Sequence, residues 1–186
     1  MKGDPAADIV LMAGPIAVGK STAARRFAED VGGEVVSVRR ALVDVLGLTP
    51  AADRATLQRE GADLDQRTRG KWLVDYLVER VDTGTGPIVV DSLRTVRQTE
   101  PILLYAPRSV LVYLDAHTTT RRLRYAAAAA SDPVKRSVPF DDAMNHPTEQ
   151  RVGDLRALAH LVVDTDDLAA DEVANLIGDL LTKRRP

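Results

Sequence analysis

Asp8-Ile-Val-Leu-Met-Ala13-Gly14-Pro-Ile-Ala17-Val18-Gly19-Lys20-Ser21-Thr22 is the stretch that decides how this chain is read. Asp8–Ala13, apolar in all but its first residue, stops at Gly-Pro, as a strand buried on both faces does. The next eight residues, Gly14–Ser21, fit G-x-x-x-x-G-K-[ST], a phosphate-cradling loop that opens into a helix. At ordinary residue frequencies a chance match in a chain of this length is roughly 1 in 200, and the strand before it and helix after it make chance poorer still. The chemistry requires these residue types. Polyphosphate oxygens must come close to backbone N–H groups, and Gly14 and Gly19 keep side chains out of that approach. The helix opening at Lys20 offers unpaired N–H groups and the positive end of its dipole. Lys20 supplies a mobile positive charge, and the Ser21 hydroxyl is placed to ligate Mg²⁺. Ala17, Val18 and Thr22 complete the expected phosphate-binding set.

Outward from this loop the chain alternates between strand and helix patterns. Glu34–Val38, Pro87–Asp91, Ser109–Asp115 and Leu161–Asp164 read as four more strands, each short and β-branched. Helical patterns cover Lys20–Val31, Arg39–Leu46, most of Pro50–Val81, Thr118–Ala130, Pro147–Ala159 and a last helix carrying Val173, Leu176, Ile177, Leu180 and Leu181 on one face. Thr49-Pro50 is a helix-start signal. Gly61 and Gly70 are candidate breaks in the long helical region. The segment after Asp91 is helical or irregular, interrupted at Pro101. Met1–Ala7 reads as a lead-in. The alternation predicts an α/β fold with a mainly parallel sheet covered on both faces, and 186 residues suit one domain, 1–186.

Composition excludes several classes. There is no Cys, so disulfide scaffolds, thiolate metal sites and Cys nucleophiles are ruled out. The 25 basic residues against 27 acidic ones give a net charge of −2, which argues against nucleic-acid and membrane partners. No apolar run approaches the roughly 20 residues of a membrane span; a soluble cytoplasmic protein, monomeric or homodimeric, is expected. Neither Asn145 nor Asn175 begins the N-K-x-D motif that reads guanine, so a GTPase switch is disfavoured.

With these elements the chain resembles the P-loop small-molecule kinases, above all the nucleoside monophosphate kinases related to adenylate kinase. The resemblance rests on the phosphate loop, on Ser37-Val38-Arg39-Arg40 after the second strand, and on Asp91-Ser92-Leu93-Arg94 after the third, similar to the family's D-G-x-x-R with Ser92 for Gly. It rests further on Arg136…Asp141-Asp142…Arg151, a loose version of the family's lid pattern. It implies a three-layer P-loop kinase fold with a five-stranded mainly parallel sheet, a helical acceptor-binding insertion over about 39–81 and a short lid over about 131–147. It implies transfer of the γ-phosphoryl group of ATP, with Mg²⁺, to a small acceptor, foremost a nucleoside monophosphate. Other acceptors remain open: a dephospho-coenzyme, a sugar acid or shikimate. A nucleotide-sensing module without turnover is the reading from another class.

Phosphoryl transfer needs cations from several segments. Lys20, Asp91, Arg94, Arg124 and Arg136 are the candidate catalytic residues, with Lys135 as a rival in the lid. Ser21 and Asp91 are the candidate metal ligands, and Arg121 a further contact to the nucleotide phosphates. Arg39 or Arg40, Gln58, Arg59, Trp72, Arg94 and Arg151 are the candidate acceptor residues. Trp72 and Tyr76, four apart, share a helix face and either stack on a base or pack in the core. His146, before Pro147, is read as a helix cap; His117 and His160 as structural.

Overall fold

The structure, a computed structural model, describes residues 8–49, 54–81, 86–130, 132 and 136–184. The expected lead-in Met1–Ala7, the helix start at Pro50 and Lys135 lie outside the described residues. Five strands form one sheet: β1 (Ile9–Ala13), β2 (Glu34–Ser37), β3 (Ile88–Leu93), β4 (Val110–Asp115) and β5 (Leu161–Asp164). The order is β2-β3-β1-β4-β5, and every neighbouring pair is parallel. The predicted α/β three-layer architecture is present.

The unbroken apolar run of β1 follows from its central place. Ile9, Leu11 and Ala13 face one layer with Leu73, Leu77, Ile102 and Leu155. Val10 and Met12 face the other with Phe27, Val112, Leu114 and Ile177. A strand with a core on both sides has no polar face to show. Around the sheet lie α1 (Lys20–Val31), α2 (Val38–Leu46), α3 (Arg54–Thr68), α4 (Lys71–Val81), α5 (Val96–Tyr105), α6 (Thr118–Ala129), α7 (Phe140–Met144), α8 (Pro147–Arg151) and α9 (Ala170–Arg184). No helix among the described residues is long and apolar enough to cross a membrane.

The long helical region divides at Gly70 and not at Gly61. Gly70 has φ +78°, and a Cβ there would lie 1.9 Å from the Arg97 carbonyl oxygen. That carbonyl belongs to α5, which contains Pro101. Four residues on, proline has no N–H to offer it, so the helix leaves the oxygen open and the α3–α4 turn packs against it. Two boundaries also shift. The helix expected over Pro147–Ala159 is α8 followed by a 3₁₀ helix, Val152–Leu158. β3 runs two residues beyond Asp91. On β1, Leu11 and Ala13 are two apart; their β3 partners, Val90 and Leu93, are three apart. The extra residue makes a bulge, with Ser92 at φ +68°. A side chain in that left-handed region costs roughly 1–2 kcal/mol, which is why the related motif carries Gly at this point.

Candidate active site

A cleft of about 1530 Å³ opens over the carboxyl ends of the strands, between the phosphate loop, α3, α5 and α8, where ligands bind in open α/β sheets. At one end its wall includes Val18–Ala23, Arg124, Tyr125, Thr165 and Val173; at the other, Arg39, Leu57, Gln58, Asp65, Arg69, Arg94, Arg97 and Gln98.

The loop after β1 has the form the motif predicts. Gly14 stands at φ +137°, and a Cβ there would lie 2.2 Å from the Leu114 carbonyl oxygen of β4. No other residue fits that place. Ala17 accepts a left-handed φ of +62°, and Gly19 caps α1. The Lys20 ammonium curls over the loop and donates to the carbonyls of Gly14 and Pro15, both at 2.7 Å. It is 6% exposed. Burial first, then the Arg94 charge, push its pKa down to about 7; Asp91 partly offsets them and Arg121 adds to the fall.

The sign of this shift gives a measurable result. Between about pH 7 and 10.5 the unfolded chain holds a proton on Lys20 that the folded protein lacks, so this group's contribution to stability rises with pH across that window. A bound triphosphate reverses the local field and restores the proton. Binding of Mg·ATP at pH 8 is therefore expected to take up close to one proton, measured by calorimetry in buffers of different ionisation enthalpy. Lys20→Arg, whose guanidinium never deprotonates, should show no such uptake.

Asp91 faces the loop from the bulged end of β3. Its Oδ2 accepts from the Ser21 hydroxyl at 2.6 Å and its Oδ1 from the Ser92 hydroxyl at 2.7 Å. A hydroxyl and a carboxylate together beside a phosphate loop form the all-oxygen donor set that suits Mg²⁺. Ser21 and Asp91 are the residues that would hold it. Arg121, 9% exposed, does not line the cleft: its Nη2 donates to Thr118 Oγ1 at 3.1 Å, its buried Nε has no hydrogen-bond partner among the described residues, and its charge reaches Lys20 only through space.

The structure sorts the other candidates. Arg39 lines the cleft, as do Gln58, Arg94 and Arg151. Arg40 does not: it points outward and pairs with Asp44 at 2.8 Å. Successive helix positions differ by 100°, so only one of the two neighbours can face in. Arg59 is likewise turned to solvent and paired with Glu60. Trp72 is a correction: it is 4% exposed and sits in the core, where its Nε1 donates to Asp65 Oδ1 at 2.6 Å. Tyr76 packs beside it in the same core. Arg124 lines the cleft but donates to the hydroxyl and carbonyl of Thr165, at 3.0 and 2.6 Å. That ties α6 to the loop after β5, whose Thr165 hydroxyl in turn donates to the Val18 carbonyl of the phosphate loop at 3.0 Å. Arg136 is exposed and caps the end of α6 through the carbonyls of Ala129 and Ala130, so it is not poised over the phosphates. His146 caps α8, its Nδ1 accepting from Thr148 N.

Sequence reasoning missed Asp65, Arg69, Arg97, Gln98, Glu149 and Thr165. For Asp65 a signal existed: it falls on the row Leu57, Gly61, Asp65 of α3, an acid on an inward face. Its Oδ2 accepts from Gln98 Nε2 at 2.9 Å, and burial pushes its carboxyl above the usual range against the support of Trp72 and Gln98.

No protein-family model matches the chain. Two shikimate kinases from strains of Stenotrophomonas maltophilia are similar: one is 28% identical over 181 residues, covering 97% of this chain and 95% of that protein, the other 27% identical. Among solved structures, shikimate kinase from Acinetobacter baumannii in complex with shikimate matches with a TM-score of 0.60 at 20% identity, over 96% of this chain and 94% of that one. A sugar kinase from Janibacter matches with a TM-score of 0.58 at 16% identity, over 95% and 94%. The APS kinase of Mycobacterium tuberculosis, solved with AMPPNP and APS, gives the same score at 16% identity, over 95% and 98%. The loop, the sheet order and these likenesses agree: the chain is a homologue of the shikimate kinases and a P-loop ATP phosphotransferase of the adenylate-kinase-like superfamily.

Proposed function

We propose that the acceptor is a small hydroxy acid of the shikimate class and not a nucleoside monophosphate, the acceptor first expected. The observation that carries this is the full-length similarity to shikimate kinases. The acceptor end of the cleft supports it. Arg39, Arg69, Arg94 and Arg97 surround that end, with Gln58, Gln66 and Gln98 between them. Guanidinium groups pair with a carboxylate, and amides bond hydroxyls. The one aromatic side chain on the cleft wall among the described residues is Tyr125, at the nucleotide end. Trp72, for which the sequence leaves both stacking on an acceptor base and packing in the core open, is in the core.

In this reading the acceptor's hydroxyl oxygen forms a bond to the γ-phosphorus as the bond from that phosphorus to the β,γ-bridging oxygen breaks; the hydroxyl proton passes to an oxygen of the transferred phosphoryl group, and ADP leaves. Mg²⁺, when bound, neutralises charge on the phosphates. Ser21 and Asp91 hold it, the loop amides and Lys20 hold the triphosphate, and Arg94 steadies the transferring group from the acceptor side. Closure over the cleft excludes water, which would otherwise compete as acceptor.

The test is a coupled ADP assay across shikimate, other polyhydroxy carboxylates, dephospho-coenzyme A and the nucleoside monophosphates. Turnover of a hydroxy acid with none of the monophosphates is expected; turnover confined to a monophosphate would overturn the reading. With the acceptor in hand, Arg94→Ala should lower its kcat/KM at least about tenfold, the loss of a charge-assisted contact to the transferring group.

A further inference from the structure

The segment between α6 and β5 meets the phosphate loop twice. Phe140 and Tyr125 stack edge to face at 5.5 Å, in a small apolar cluster that Ile16 and Ala17 of the loop pack against. Glu149, in the first turn of α8, enters the same region. Its side chain is 3% exposed. Oε2 accepts from the Ile16 backbone N–H at 2.9 Å, and Oε1 forms an ion pair with the Arg94 guanidinium.

Helix chemistry does not explain this placement. The cap of α8 is already supplied by His146, and the dipole would favour an exposed acid in the first turn as well as a buried one. A buried carboxylate beside a triphosphate site is electrostatically adverse unless charged partners surround it. The partner here is Arg94, which follows the strand end bearing Asp91. The main chain of Arg94 is held from elsewhere: its N–H donates to Gln98 Oε1 at 3.4 Å, and Gln98 donates in turn to Asp65. Its flexible side chain is 29% exposed at the cleft and is steadied by Glu149.

We propose that Glu149 is a positioning residue for the transfer: its carboxylate holds the Arg94 guanidinium between the phosphate loop and the acceptor pocket, and fixes the Ile16 amide of the loop with its other oxygen. Through one side chain the donor and acceptor halves of the cleft share a common support. This rests on the assignment of Arg94 to the transferring group.

The test is a double-mutant cycle in the full chain, using whichever acceptor the panel selects. Glu149→Gln keeps the size and one acceptor oxygen but removes the charge. It should lower kcat/KM for the acceptor at least about tenfold while KM for ATP moves less than about threefold. On the Arg94→Ala background it should add less than a twofold further loss, because the residue acts through Arg94. Losses that multiply, or an unchanged acceptor kcat/KM with Arg94→Ala impaired, overturn the proposal alone. A silent Arg94→Ala overturns the assignment of Arg94 and the proposal with it. Should Glu149→Gln not fold, Glu149→Asp, which keeps the charge and shortens the reach, carries the same cycle. One readout needs no acceptor: the Arg94 guanidinium resonance, assigned by its loss in Arg94→Lys, should exchange slowly in the unaltered protein and fast in Glu149→Gln. Slow exchange in both overturns the proposal.

Discussion

Lys20→Ala is expected to remove at least about 10³-fold of kcat while the protein stays folded, as when a charge aimed at the developing transition state is deleted. The prediction of a stable variant is specific to this site. Lys20 is held almost fully out of solvent with its charged form disfavoured. Its two partners are carbonyls of its own loop, so no other element loses a contact when the ammonium goes. Removing the group relieves a desolvation cost and leaves the core layers around β1 untouched. A thermal melt within a few degrees of the unaltered protein, together with the lost turnover, is the expected pair of results. Normal turnover by the folded variant would overturn the phosphate-loop reading.

Asp91→Asn is expected to lower activity roughly 10–100-fold and to raise the Mg²⁺ concentration needed for half-maximal rate, the range seen when groups that orient a metal are altered. The amide keeps the shape and one acceptor oxygen for Ser21 or Ser92, so the fold has little reason to change. What is lost is the negative charge that balances Mg²⁺ and supports protonated Lys20. A Mg²⁺ titration separates the two effects: recovery of rate at high Mg²⁺ assigns the loss to the metal, and a depressed plateau assigns it to the Lys20 environment. A Mg²⁺ dependence unmoved by the substitution would remove Asp91 from the metal shell.

The two halves of the cleft differ in how far the sequence disclosed them. The donor half was legible because its chemistry is local. Gly14, Lys20 and Ser21 lie within one turn and one helix start, and the backbone geometry that makes them useful is carried by the same residues. The strands were legible because burial on both faces leaves no polar alternation to obscure them. Asp91 and Arg94 were legible as a motif, and the bulge at Ser92 now gives that motif its geometry.

The acceptor half depends on phase and tertiary contact. Whether Arg39 or Arg40 faces inward turns on where α2 begins, and α2 begins one residue earlier than the pattern suggested. Trp72 was ambiguous because an aromatic on a helix face serves a base or a core equally well; only the Asp65 carboxylate beneath its indole decides between them. Glu149 had no signal at all. It lies 55 residues from Arg94 and 133 from Ile16 in sequence, and nothing in Pro-Thr-Glu-Gln distinguishes it from an ordinary first-turn acid. Arg136 misled for the opposite reason: a basic residue near an expected lid invites a role over the phosphates, whereas unpaired carbonyls at a helix end attract it as readily.

The contact of Gly70 with the carbonyl that Pro101 leaves open joins the α3–α4 hairpin to α5 main chain against main chain. Nothing compressible lies between them at that point, so a shift that carries the hairpin toward the nucleotide must carry the start of α5 along. The spacing between the α3–α4 turn and the start of α5, and with it that of Asp65 and Arg69 from Arg97 and Gln98 on the cleft wall, is then held by this seam.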